Sequence, residues 1–128
     1  MILDSSAIVA VITEELGAEW IVEKLRRADV RGVNAATLAE TGIVLQRRLG
    51  VEPQAILDRF LRDFDVAVVE FGDAHWREAV DAYRRFGRGR HPAALNFGDC
   101  LSYATARLSD RPLLFVGDDF ARTDVQIA

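Results

Sequence analysis

The chain has 128 residues, half of them hydrophobic and 28% charged, and a formal net charge of −4. That size suffices for one globular domain with its own core, and the composition excludes fibrous and disordered classes. The acidic balance argues against a protein that coats nucleic acid by neutralising phosphates along its length, and a single cysteine, Cys100, excludes an internal disulfide or a cysteine-based zinc cluster.

No apolar run approaches the roughly 18 residues of a membrane span, and the N-terminus lacks the basic start of a signal peptide, so a cytoplasmic protein with a single domain over 1–128 is expected. A short strand over Ile2–Asp4 leads into a helical stretch from Ser6 to about Ile12 and an amphipathic helix from about Leu16 to Ala28. Val30–Asn34 reads as a second strand. Ala35–Leu49 has helical spacing and stops at Gly50, and Pro53 suits the first turn of a helix reaching about Arg62. Val66–Val69 is a β-branched run. A helix from Asp73 to about Phe86, a Gly/Arg/Pro loop, a helix from Phe97 to Leu108 and the apolar strand Leu113–Val116 complete the chain. Apolar strands alternating with helices predict a three-layer α/β/α fold around a central, mainly parallel sheet of about four to five strands. In such sheets the site lies outside the carboxyl ends of the strands.

Acids recur at those ends. Asp4 follows the first strand, where it can cap a helix or point into the crevice. Glu40 interrupts a mostly apolar helical face with Ala36, Ile43 and Val44, so its carboxylate needs a partner, either Arg47 or a metal. Asp99, three residues after Asn96, fits a capping box. Asp118 and Asp119 follow the last strand, where a turn or helix cap is the bland explanation. Placed around one sheet edge, these acids would repel and raise one another's pKa unless a cation joined them. All-oxygen ligation suits Mg²⁺ or Mn²⁺. The basic charge is almost wholly arginine. Its densest run, Arg84, Arg85, Arg88, Arg90 and His91 around Phe86, is either a solvated loop or a local RNA contact. Trp20 and Trp76 read as core or interface aromatics, and Cys100 as a small buried hydrophobe.

In four segments the sequence resembles a PIN-domain ribonuclease, and most closely the VapC toxins of bacterial toxin–antitoxin pairs. They are Met-Ile-Leu-Asp-Ser-Ser-Ala at 1–7, Ala-Glu-Thr at 39–41, Gly-Arg-Gly-Arg-His-Pro-Ala-Ala-Leu-Asn-Phe-Gly-Asp-Cys at 87–100 and Leu-Leu-Phe-Val-Gly-Asp-Asp-Phe-Ala-Arg-Thr-Asp at 113–124. The resemblance implies a Mg²⁺-dependent endoribonuclease, with Mn²⁺ as a substitute, that hydrolyses RNA phosphodiester bonds by metal-activated water. It carries over Asp4, Glu40 and Asp99 as core acids and Asp119, with Asp118 as the alternative, as the fourth. Ser6 matches a supporting hydroxyl, while Gly117 stands where many such domains have threonine or serine. It further implies a homodimer, RNA contact by Arg85, Arg88, Arg90 and His91, and inhibition by a cognate VapB-like antitoxin. A PIN-like domain that binds RNA or a partner without cutting, or a nuclease without a toxin role, is the alternative. A receiver domain would require a lysine after a late strand, and Lys24 is the only one.

Overall fold

The computed structural model describes all 128 residues. Four strands, β1 (Ile2–Leu3), β2 (Arg31–Asn34), β3 (Val66–Val69) and β4 (Leu113–Leu114), form one sheet in the order β3-β2-β1-β4, with every pairing parallel. Six helices connect them: α1 (Ser5–Ile12), α2 (Glu19–Arg27), α3 (Ala35–Leu49), α4 (Gln54–Asp63), α5 (Asp73–Phe86) and α6 (Phe97–Leu108). The three-layer α/β/α arrangement expected from the strand and helix alternation is the observed one, with four strands.

Period-two alternation divides the core. Ile2 and Leu113 pack with α5 and α6 residues on one face, including Ala79, Ala82, Leu101 and Tyr103. Their neighbours Leu3 and Leu114 point to the other face and pack with Ile8, Ile21, Leu25, Leu45, Leu57 and Phe60 from α1 to α4. The chain steps outward from β1 through β2 to β3, then returns to place β4 on the far side of β1. That reversal puts the switch point of the sheet beside β1, where a crevice opens at the carboxyl ends.

Boundaries differ from the sequence expectation where local geometry intervenes. α2 starts at Glu19 rather than near Leu16 because Glu14 (φ 52°) and Gly17 (φ 87°) make left-handed turns, which leaves Leu16 fully exposed. β4 ends at Leu114 because the Val116 N–H turns away to donate to the Ser6 hydroxyl at 3.0 Å. β3 is an edge strand with Val68 half exposed, so it is not apolar on two covered faces. Neither tryptophan is core: Trp20 is 44% and Trp76 47% exposed. Cys100 is buried, as expected.

The turn expected at Asp118 and Asp119 is present, and the chain beyond it packs back onto the domain. A 3-10 turn at Phe120–Arg122 seats Phe120 in the core, and residues 126–128 return along β4 through Leu113 N–H to Gln126 C=O (2.7 Å) and Ala128 N–H to Leu113 C=O (3.0 Å). Asp124 locks this segment to the helices, accepting from the Tyr103 hydroxyl at 2.5 Å and from Arg85 at 2.6 Å. Burial pushes the Asp124 carboxyl up, but these two hydrogen bonds outweigh it and hold it below the usual range. Burial, then the bond to Asp124, pushes the Tyr103 hydroxyl up to about 12. No helix is long and apolar enough to cross a membrane.

Candidate metal centre and nucleic-acid face

Asp4 stands where β1 becomes α1. Its backbone N–H still donates to Leu114 C=O at 2.9 Å, while its side chain caps α1 by accepting from Ser6 N–H at 3.0 Å. The cap and the strand end are therefore the same residue. The Asp4 carboxylate is 4% exposed and compensated by hydroxyls: Ser6 donates to Oδ2 at 2.6 Å and Ser102 to Oδ1 at 2.7 Å. Ser6 is in turn fixed to the end of β4 by Val116 N–H.

Glu40 reaches the same region from α3. Arg47 does not neutralise it. Its Oε2 atom is buried without a hydrogen-bond partner, although buried polar atoms are nearly always satisfied. Burial, followed by the charge of Asp4, raises its pKa. The carboxyl group lies flat against the first turn of α6, where a Cβ on Gly98 would stand 2.7 Å from Oε2 and 2.8 Å from Cδ. A side chain at position 98 would displace it.

Asp99 follows at the third position of α6 and closes a reciprocal cap, accepting from Asn96 N–H at 2.8 Å while Asn96 Oδ1 accepts from Asp99 N–H at 2.9 Å. Its pKa is pushed up to about 6, chiefly by burial, which the Asn96 bond opposes, and then by the charges of Asp4, Asp119 and Glu40. Asp119 is exposed at the head of the 3-10 turn and acts on Asp99, whereas Asp118 is not among the charges that do.

The four carboxylates thus share one field but do not close into a cage of three or more ligands as they stand. Asp4 is held by its serines and Asp99 by its cap. An unpartnered buried carboxylate oxygen, two raised acids and an all-oxygen donor set fit a hard divalent cation. Mg²⁺ keeps several waters and needs only one or two carboxylates directly.

The arginine run divides. Arg85 turns inward, donating to Asp124 and to the Tyr103 hydroxyl (3.2 Å) while stacking 4.6 Å over Phe86. Arg84 pairs with Asp81 at 2.7 Å. Arg88 and Arg90 are exposed on the loop that Arg88 N–H and Leu95 N–H close. His91 packs edge-on to Phe86, and its Nδ1 accepts from Ala93 N–H. Arg122 donates to Pro92 C=O at 3.4 Å, which joins this loop to the turn that Asp119 heads. An apolar groove of about 440 Å³ between α5 and α6, lined by Phe71, Trp76, Val80, Tyr83 and Phe97 among others, opens beside the start of α6.

Sequence reasoning missed Ser102 and Gly98. Ser102 lies three residues after Asp99 on the same helical face, the spacing that could have disclosed it. Gly98 was visible as a glycine inside a helix start, where it costs stability unless space demands it.

A family model of the PIN domain matches residues 1–126. A protein of Mycolicibacterium smegmatis named ribonuclease VapC is 44% identical over 98% of this chain and 97% of its own length. Ribonuclease VapC42 of Mycobacterium tuberculosis is 43% identical over 100% of this chain and 98% of its own. Among solved structures, M. tuberculosis VapC20, described as a sarcin-ricin loop cleaving toxin, superposes with a TM-score of 0.78 at 17% identity, covering 99% of this chain and 97% of that one. A toxin–antitoxin complex from Klebsiella pneumoniae superposes at 0.71 and 13% identity, covering 99% and 95%. These two likenesses speak to the fold.

Proposed function

Because the chain belongs to the PIN-domain family, among the VapC ribonucleases, we propose that it is the toxin of a type II toxin–antitoxin pair, an endoribonuclease that uses Mg²⁺ to hydrolyse RNA phosphodiester bonds. The observation that carries the metal dependence is the buried, unpartnered Oε2 of Glu40 beside two other acids at the switch point of the sheet.

Asp4, Glu40, Asp99 and Asp119 would hold the cation. When bound, it supplies positive charge to the scissile phosphate and activates water for attack. The residues of the chain prepare that arrangement. Ser6 fixes the Asp4 carboxylate against the end of β4, the Asn96 cap fixes Asp99, and the packing of Glu40 on Gly98 limits where its oxygens can stand. Neither histidine serves as a base: Nδ1 of His75 accepts from Gly72 N–H and that of His91 from Ala93 N–H, outside the acid cluster. RNA contact falls to Arg88 and Arg90, with His91 beside them, because Arg85 is engaged with Asp124.

A VapB-like antitoxin would inhibit the enzyme by covering the acidic crevice, for which a cationic segment is the complementary chemistry. A homodimer would form through the α5–α6 groove, which leaves Phe97 79% and Val80 62% exposed. A cytoplasmic location belongs to the same reading, because cellular RNA is the substrate it proposes.

Purified protein with Mg²⁺ or Mn²⁺ is expected to cleave a structured RNA, leaving 5′-phosphate and 3′-hydroxyl ends. Asp4→Asn is expected to abolish cleavage while the domain stays folded, since the asparagine Oδ1 can still cap α1 and only the contact to the second oxygen is lost. Cleavage by Asp4→Asn at the wild-type rate overturns the assignment.

A further inference from the structure

A chain of buried hydrogen bonds runs behind Asp4 along the α6 side of the sheet, from the end of β2, and its proton directions can be read from donor and acceptor inventories alone. Asn34, at the end of β2, accepts from the Thr37 backbone N–H through Oδ1 at 2.7 Å. A backbone N–H can only donate, so this bond fixes the amide orientation and aims Nδ2 at Thr37 Oγ1, 2.8 Å away, and Thr105 Oγ1, 3.0 Å away. Thr37 Oγ1 therefore accepts from Asn34, which leaves its own proton for Ser102 Oγ at 3.2 Å. Ser102 Oγ then accepts from Thr37 and, with its own proton, donates to Asp4 Oδ1 at 2.7 Å. Asn34, Thr37 and Ser102 are fully buried.

We propose that Ser102 is a positioning residue for the cation-binding carboxylate: its hydroxyl, oriented by Thr37 and Asn34, fixes the plane of Asp4 opposite the grip of Ser6 and so sets the direction of the oxygen lone pairs left for a divalent cation. This rests on the function proposed above. Ser6 holds Oδ2 from the α1 side and Ser102 holds Oδ1 from the α6 side, so the carboxylate is gripped at both oxygens and cannot rotate. Ser102 contacts neither substrate nor solvent, and it acts only through Asp4.

The test compares Ser102→Ala, Ser102→Thr and Ser102→Val with wild type and Asp4→Asn. Mn²⁺ binding is measured by calorimetry, kcat and KM on one RNA, and fold by thermal denaturation. Threonine and valine have the same bulk and differ by the hydroxyl, so this pair separates the hydrogen bond from packing. Ser102→Ala and Ser102→Val are expected to bind Mn²⁺ about 10- to 100-fold more weakly and to lose kcat by a similar factor, with KM for RNA unchanged and the fold retained. Ser102→Thr is expected to recover most of both. Wild-type Mn²⁺ affinity in Ser102→Ala, or equal losses in Ser102→Thr and Ser102→Val, overturns the positioning role. If Asp4→Asn also binds Mn²⁺ like the wild type, the assignment of the acids as cation ligands falls instead.

Discussion

Gly98→Ala isolates the geometry of Glu40 from the stability of the fold. Gly98 lies outside the left-handed backbone region, so alanine meets no conformational obstacle, and helix propensity favours it by up to about 1 kcal/mol. Its Cβ nevertheless overlaps the Glu40 carboxyl, with Cδ at 2.8 Å against an ordinary contact of at least 3.4 Å. The flexible end of Glu40 must retreat by about 0.6 Å or more, and misplacement of about 1 Å in a catalytic constellation costs on the order of 100-fold in rate. The variant should therefore unfold within about 1 kcal/mol of wild type in urea while its Mg²⁺-supported kcat on RNA drops about 10- to 100-fold. Glu40→Gln serves as the reference for complete loss of the charge. Wild-type kcat in Gly98→Ala beside an inactive Glu40→Gln would refute the inference that the Gly98 contact places the Glu40 oxygens.

Burial raises Asp99 to about 6 from 3.8, so the folded state binds its proton more tightly than the unfolded chain does, and this group's contribution to stability is present below pH 3.8 and lost as pH rises to about 6. Metal-free protein should accordingly lose stability across that window, and Asp99→Asn, which keeps an acceptor for Asn96 N–H, should melt higher than wild type at pH 7 without metal; a lower melting temperature contradicts the desolvation reading. Arg88→Ala with Arg90→Ala should weaken RNA binding and flatten the slope of log K against log salt by roughly 1.4, at about 0.7 per phosphate contact on single strands. Arg85→Ala should instead cost about 1 kcal/mol of stability, given its partial exposure, and leave that slope unchanged. Equal slopes for both variants would remove the distinction between the inward and outward arginines.

Much of this was legible because local and global signals agree. α3, α5 and α6 fall on the ranges that periodicity and capping predict, with Gly50 and Asn96 acting where their chemistry suggests. Asp4, Glu40 and Asp99 stood out because each sits at a strand end, on an apolar face or at a helix start. Ser102 did not, since a serine among Cys100, Leu101 and Tyr103 reads as helix core until its distant acceptor is known. Arg85 misled for the same reason: Asp124 is 39 residues away, and no local pattern links them. The exposed tryptophans show a related limit, because an apolar face looks alike in sequence whether the protein buries it itself or leaves it at the surface.

The bonds around Asp4 also join distant parts of the chain. Ser102 is 98 residues downstream of Asp4, and Val116 is 110 residues downstream of Ser6. Asp119 lies ahead of a terminal segment that returns along β4. A fragment ending before β4 lacks both the strand end that fixes Ser6 and Asp119, one of the acids proposed to hold the cation. On the function proposed above, the cation site is therefore a property of the whole fold, which no single stretch of the chain could assemble alone.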